Sequence, residues 1–425
     1  MTMLRAALRS MAVNAILVSE RWRSGVAYNP LSPRLIQDPY PVYRELRERD
    51  PVHRSRLMDS WLLTRYRDVD AVLRNHRQFS NNPYRRSSSS RRRNPPPPRE
   101  DLSMLLLDPP DHTRLRALVN KAFARQSINV LETRIRRLMG GLLDAIDDPA
   151  GFDLMTAVAR SLPVIVIAEM LGVPPQDHAR FTAWSNQRAR VIEPTATEQE
   201  RAQADAAGQA LDAYFLSAIE DRRADPRDDI ISALVHAEEE GDTLNEQEML
   251  NMLRLLLIAG NETTANLIGN GMLALLRHPD QLSVLRDDPS LMPAAVNELL
   301  RFDSPVQSDL RTAVEDCEVN GVPVRGGESI ILLLGAANHD PAVFDRPERL
   351  DVRRREGNHI AFGRGIHHCL GAFLARLEGR IAFEMLLERF PSIRLLTDRP
   401  VFRSGIVLRG LESLPLGAGE LREKR

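Results

Sequence analysis

Apolar residues recur at helical spacing over most of this chain. Residues 38–50 open on Pro39 and Pro41 and continue through Tyr43 and Leu46 as a short amphipathic helix, and residues 61–64 then read as a strand. From 115 to about 300 the period stays helical. Its interruptions fall at Pro174-Pro175, Pro194, Pro226 and Pro279, because proline lacks the amide proton a helix interior needs. The most apolar part, residues 245–276, predicts one long helix. Between 304 and 351 the pattern shortens to β-type runs at 317–324 and 329–334, punctuated by Gly321, Gly326 and Gly327. Helix returns over 370–387, and residues 392–414 read as strands and turns. The pattern as a whole predicts a mainly α fold with a small β side.

Two stretches depart from it. Residues 85–101, RRSSSSRRRNPPPPRED, cannot supply a core and predict a mobile surface loop within 81–104. Its Arg85, Arg86, Arg91, Arg92 and Arg93 could admit an anionic ligand, although a solvated loop is the plainer reading. At the N-terminus an apolar run over 11–18 lies between Arg5 and Arg9 on one side and Glu20, Arg21 and Arg23 on the other. That run is well short of the roughly 18 residues a bilayer span needs, so residues 1–24 read as an extra helix and not as a membrane anchor.

Composition narrows the function classes. Lys+Arg 57 against Asp+Glu 58 leaves a formal charge of -1, so nothing global favours nucleic acid or an anionic membrane, and such a partner would need a local patch. Two cysteines, Cys317 and Cys369, exclude a disulfide scaffold and suit a reducing, cytoplasmic compartment.

One of those cysteines sits in FGRGIHHCLG, residues 362–371. Cys369 directly precedes the predicted helix, whose positive end and free N–H groups can hold a thiolate ionised. Gly363 and Gly365 allow a backbone with positive φ. A buried structural cysteine in a glycine-rich turn is the competing reading. The motif resembles the haem-binding loop of the cytochromes P450, whose pattern is Phe-x-x-Gly-x-x-x-Cys-x-Gly. That resemblance implies haem b with Cys369 as axial ligand, Gly363, Gly365 and Gly371 close to the macrocycle, and Phe362 covering the proximal side.

Companions of the motif occur where the family has them. ELLR at 298–301 and PERL at 347–350 resemble the charged triad, which implies Glu298, Arg301 and Arg349 as its members, with Leu350 where the family has Phe. LLLIAGNETT at 255–264 resembles the oxygen-binding helix. There Ala259 and Gly260 would leave room for dioxygen, and Glu262 with Thr263 would deliver protons, a task suited to a buried acid beside an alcohol. DPPDHTRLR at 108–116 places His112 and Arg116 on one helix face, and with Arg311 and His367 they match the family's propionate donors.

The resemblance runs from DPYPVYRELR to RGLESLPL and implies one haem domain over 25–425, since residues from 112 to 371 must meet at one cofactor. It further implies a monooxygenase that uses O2 on a small or medium hydrophobic molecule. The implied pocket lies near 81–104, 172–195, Met252, Leu255, Leu256, Ala259, Val306-Gln307-Ser308 and Ile406. No flavin or ferredoxin motif is present, so electrons are expected from a separate ferredoxin and its NAD(P)H-linked reductase, docked near Arg114, Lys121, Arg125, Arg364 and Arg376. The alternatives are a peroxide-using relative, or a haem sensor or electron carrier without turnover.

Overall fold

The computed structural model describes residues 2–85, 98–124, 128–193, 195–239, 241–355 and 358–419. Most of the arginine-rich loop, including Arg86, Arg91, Arg92 and Arg93, therefore lies outside the described residues, as do Arg125 and Pro194. The flanks that are described form short 3-10 turns at Pro83–Arg85, Arg99–Asp101 and Met104–Leu106.

The organising element is the helix Glu246–Arg277. Asn245 starts it with a reciprocal box: its side chain accepts from Glu248 N at 2.9 Å, while the Glu248 carboxylate accepts from Asn245 N at 3.0 Å. Pro279, at the start of the next helix, marks its far end as expected. Every residue from 264 to 275 is buried, so this half is enclosed on all sides, as an all-round apolar helix must be. It packs against Ser161–Met170, His178–Ala189, Met292–Phe302 and Ala372–Arg389. Small residues permit that closeness. A Cβ on Gly271 would come within 2.5 Å of the Phe383 ring, and one on Gly379 within 2.9 Å of Leu267.

The β side is a five-stranded sheet in the order Val52–Ser55, Ser60–Leu63, Ser329–Leu333, Ser308–Ala313, Phe79–Ser80, antiparallel except between Ser60–Leu63 and Ser329–Leu333. It positions Arg311 opposite Ile330. The run predicted at 317–324 is a hairpin of Cys317–Val319 and Val322–Val324. Asn320 and Gly321 turn it with φ of 51° and 80°, the Asn-Gly chemistry of a tight hairpin. Cys317 belongs to this peripheral hairpin.

The charged triad needs one correction. Arg301 is buried and bidentate on Glu298, at 2.7 and 2.8 Å. Its remaining donors reach the carbonyls of Asn338, Pro347 and Arg349. Arg349 thus contributes a carbonyl, while its side chain is exposed. The second cation on Glu298 is Arg354, with Nε at 3.1 Å from Oε2 and 3.2 Å from Oε1. The turn after Pro347 aims a peptide oxygen inward where the motif suggested a guanidinium, and the cation arrives five residues later.

Removing one partner of a buried ion pair leaves an uncompensated charge and costs about 3–5 kcal/mol, and a hydrogen bond to a charged group is worth about 1.5–3 kcal/mol. Arg354→Ala is therefore expected to lower the urea-unfolding free energy by about 1.5–3 kcal/mol, and Arg349→Ala to stay within about 0.5 kcal/mol of the parent. The opposite ranking would restore Arg349 to the triad.

Candidate active site

The cysteine loop is built by two residues in the left-handed region. Gly363 has φ of 66° and Gly365 of 68°. At Gly365 a side chain is doubly excluded, because its Cβ would stand 2.5 Å from the carbonyl oxygen of Leu73, in the helix Tyr66–Arg74. The Phe362 carbonyl accepts the Cys369 amide at 2.9 Å and closes the loop, and the Arg376 guanidinium lies 4.4 Å over the Phe362 ring. The following helix is Ala372–Arg389, two residues later than the pattern predicts, because Cys369 to Gly371 remain in the turn.

Cys369 has accessible surface, yet it sits deep enough that burial pushes its thiol up. The Gly371 amide and the charges of Arg116 and Arg376 act the other way. With burial dominant, this sulfur ionises when a cation binds it.

Beside it are two imidazoles, each with a nitrogen that has no partner. His112 is buried in the helix Asp111–Ala124, and its Nδ1 has no hydrogen-bond partner; neither has Nε2 of His367. Their rings are 4.2 Å apart. Burial, reinforced by Arg116, lowers His112 to about 4. Burial, with His112, Arg311 and Arg116 nearby, lowers His367 to about 3. Both are neutral at ordinary pH and can each donate one N–H. Arg116 donates to the His368 carbonyl at 2.8 Å, and Arg311 donates to Asn81 and pairs with Asp309 at 2.9 Å. Buried polar atoms are rarely left unpaired, so this arrangement fits a ligand bearing carboxylates, as the two propionates of haem are. All four predicted donors meet here, and Asn81 joins them unpredicted.

The central helix turns a bare face toward the same region. Its contacts with the cysteine helix, Leu267 with Gly379 and Gly271 with Phe383, advance four residues together, so the two helices run in the same direction. Continued backwards, that register brings Ala259 and Gly260 toward Gly371. Yet Ala259 and Gly260 are exposed, and a Cβ on Gly260 or Gly371 would meet no atom within 4 Å. A flat group has room between them.

Thr263 Oγ1 donates to the Ala259 carbonyl at 2.9 Å. Glu262 is raised by burial, and Glu193 adds to that, while Arg403 opposes it through an ion pair. Arg403 also reaches Asn266 Oδ1 at 3.3 Å. Glu193 in turn accepts the amides of Ile406 at 2.7 Å and Leu408 at 2.7 Å, fastening the segment that carries Arg403. Neither Arg403 nor Glu193 was identified from sequence, because both lie far along the chain from Glu262 and in no motif. Asn261 donates to Ser185 Oγ at 2.8 Å and to Asn186 Oδ1 at 3.2 Å, which joins the central helix to His178–Ala189.

Several expected wall and docking residues are otherwise engaged. Gln307 donates to the Ser304 carbonyl at 2.8 Å, with its amide against Gly335. Arg114 pairs with the capping Glu248, and Arg364 lies 3.6 Å from Asp70 and donates to the Asn358 carbonyl at 2.7 Å. The expected docking patch is therefore partly neutralised. Lys121 is exposed.

Comparison with known proteins agrees with this geometry. The family model for cytochrome P450 matches residues 37–402. The chain is 42% identical over 389 residues to the vitamin D(3) 25-hydroxylase of Pseudonocardia autotrophica, covering 90% of this chain and 94% of that protein. The fold matches the cytochrome P450 PksS of the Bacillus subtilis bacillaene polyketide synthase with a TM-score of 0.85 at 39% identity, covering 92% of this chain and 100% of that one. It also matches P450BioI, solved with an acyl carrier protein ligated to hexadec-9Z-enoic acid, with a TM-score of 0.82 at 34% identity over 91% and 99% of the two chains. The chain belongs to the cytochrome P450 family. It is accordingly an oxidoreductase of the monooxygenase class, using haem and O2 on an organic substrate.

The two glycines of the loop separate fold from cofactor. Gly365→Ala, strained in φ and overlapping Leu73, is expected to cost about 3 kcal/mol or more and to reduce the yield of folded protein. Gly371→Val adds bulk only toward the gap. It should leave the circular-dichroism spectrum unchanged while the haem absorbance per folded chain falls. A Gly371→Val protein with full haem content would place the cofactor elsewhere.

Proposed function

We propose that this chain inserts one oxygen atom from O2 into a small or medium hydrophobic organic molecule, with haem b held by Cys369 and electrons supplied in the cytoplasm by a separate ferredoxin and its NAD(P)H-linked reductase. The observation that carries this reading is the pair of unpartnered imidazoles, His112 and His367, beside the Cys369 turn, with Ala259 and Gly260 left exposed on the central helix. When bound there, haem supplies a thiolate-ligated iron at which dioxygen is activated.

The residues divide the work by position. Cys369 Sγ ligates once deprotonated, and the Gly371 amide with the charges of Arg116 and Arg376 holds its negative charge. His112, His367, Arg116 and Arg311 donate to the propionates. Gly363 and Gly365 shape the loop, while Phe362 and the Arg376 stacked on it keep water from the sulfur. On the opposite face, Ala259 and Gly260 leave space for dioxygen.

Proton delivery falls to Glu262 and Thr263. Burial raises the Glu262 carboxyl, so it holds a proton closer to working pH than a solvated acid does, and the Arg403 pair counteracts this while it is closed. Opening that pair lets the carboxyl take up a proton from solvent. Thr263 Oγ1 can pass it on toward the gap, its own hydrogen bond to the Ala259 carbonyl fixing the hydroxyl there.

The substrate class is supported by Met252, Leu255 and Leu256 on the same stretch of helix, all apolar, and by relatives named for vitamin D(3) hydroxylation and polyketide biosynthesis. A mostly apolar pocket selects ligands by shape and hydrophobic area.

Ligation is tested first. Reduced protein with carbon monoxide should show the strongly red-shifted Soret band of a thiolate-bound iron carbonyl. Cys369→Ser should lose that band and Cys317→Ser should keep it. The reverse result removes Cys369 from the iron.

Proton delivery is tested by coupling. Thr263→Ala should retain haem, substrate binding and most NAD(P)H consumption in a reconstituted system, but the reducing equivalents should appear as hydrogen peroxide instead of product. Glu262→Gln should slow oxygen-dependent turnover by about 10–100-fold, the scale of a lost general acid. Product formation in Thr263→Ala as tightly coupled as in the parent would sink the relay.

A further inference from the structure

The helix Thr2–Ser24 precedes the segment matched by the family model and takes no part in the site. Yet it carries the three most exposed large apolar side chains among the described residues: Met11 at 68%, Val18 at 68% and Trp22 at 91%. At about 100° per residue these three fall within about 40° of one another, with exposed Ala15 in the same row. Exposed apolar residues scattered singly mean nothing, but a row along one helix face does.

The helix is moored by a different side. Glu20 is buried and accepts from the amide of Arg56 at 2.6 Å, from the amide of Leu57 at 3.3 Å and from Ser55 Oγ at 3.3 Å. Its other oxygen accepts from Tyr28 N at 3.4 Å and lies 3.6 Å from His53 Nε2. Asp50 holds the far nitrogen of His53 at 2.8 Å. Burial lowers the pKa of that imidazole, but the two carboxylates outweigh it and bring His53 to about 9. Glu20 is the one acid in residues 1–24, and it faces inward. The outward charge of the described side chains of the helix is therefore arginine alone, from Arg21 and Arg23. Arg21 and Arg23 are exposed beside Trp22, and so is Arg56, which bonds Ser19 Oγ at 3.3 Å.

We propose that this face docks on an anionic lipid bilayer, with the helix lying in the plane of the headgroups. The apolar row is straight and one side chain wide, which suits a planar boundary. The arginines beside it attract anionic headgroups, and tryptophan favours that depth. A second copy is a poorer occupant, because a row one side chain wide offers far less area than a stable dimer interface buries. The helix does not need to cross: among the described residues none is long and apolar enough to span a membrane.

The full-length holoprotein is mixed with vesicles of phosphatidylglycerol and phosphatidylcholine in equal parts, or of phosphatidylcholine alone, and floated on a density gradient. It should float with the anionic vesicles, with a blue shift in tryptophan emission that Trp22→Phe removes. Replacing Met11, Val18 and Trp22 together by serine should weaken binding by at least about tenfold, and Arg21→Gln or Arg23→Gln by about fivefold each, as should high salt. These side chains point outward, so the variants should keep the parent's haem absorbance and melting temperature. Failure to float with anionic vesicles, or flotation unchanged by the triple serine variant, would overturn the proposal. So would a lipid-free dimer that the triple variant dissolves, which would assign the face to a second copy.

Discussion

Everything in this structure is arranged around a helix that must be enclosed along half its length and bare on one face near its middle. Residues 264–275 of Glu246–Arg277 have no exposed side, which only close partners can satisfy, and Gly269, Gly271 and Gly379 admit those partners. At Ala259 and Gly260 the packing stops.

The electrostatics of the site follow from depth. Burial keeps His112 and His367 neutral and raises the thiol of Cys369, so each stays in its uncharged form until a partner arrives; it also raises Glu262, which the ion pair with Arg403 opposes. A metal cation and a pair of carboxylates are partners of that kind. By contrast, the buried Glu298–Arg301–Arg354 group is already fully paired, with its spare donors on peptide oxygens. One cluster has its donors satisfied by Glu298 and peptide oxygens; the other keeps two imidazole nitrogens without a partner.

The same logic separates the two faces of the helix Thr2–Ser24. Glu20 is satisfied inside the fold, whereas Met11, Val18 and Trp22 on the same helix are exposed. A buried carboxylate with four hydrogen-bond donors around it fixes how that helix is rotated, and therefore which side faces outward.

Short-range chemistry was legible in the sequence. The helical period marked the central helix to within a residue at each end, Pro279 marked its far end, and the β-type run at 317–324 is a hairpin. The glycines around Cys369 and the donors His112, Arg116, Arg311 and His367 could be named because their spacing is local or follows the family pattern. Other features depended on which atoms of distant segments come to lie within a few ångströms of each other. The third triad cation is Arg354 and not Arg349, because a turn selects which group faces inward. Arg403 pairs with Glu262 across about 140 residues of chain, and the Gln307 amide lies under Gly335. A sequence pattern reports periodicity and backbone preference, which are properties of neighbours. Ion pairs, orphaned nitrogens and open faces are properties of packing, and only the folded chain decides them.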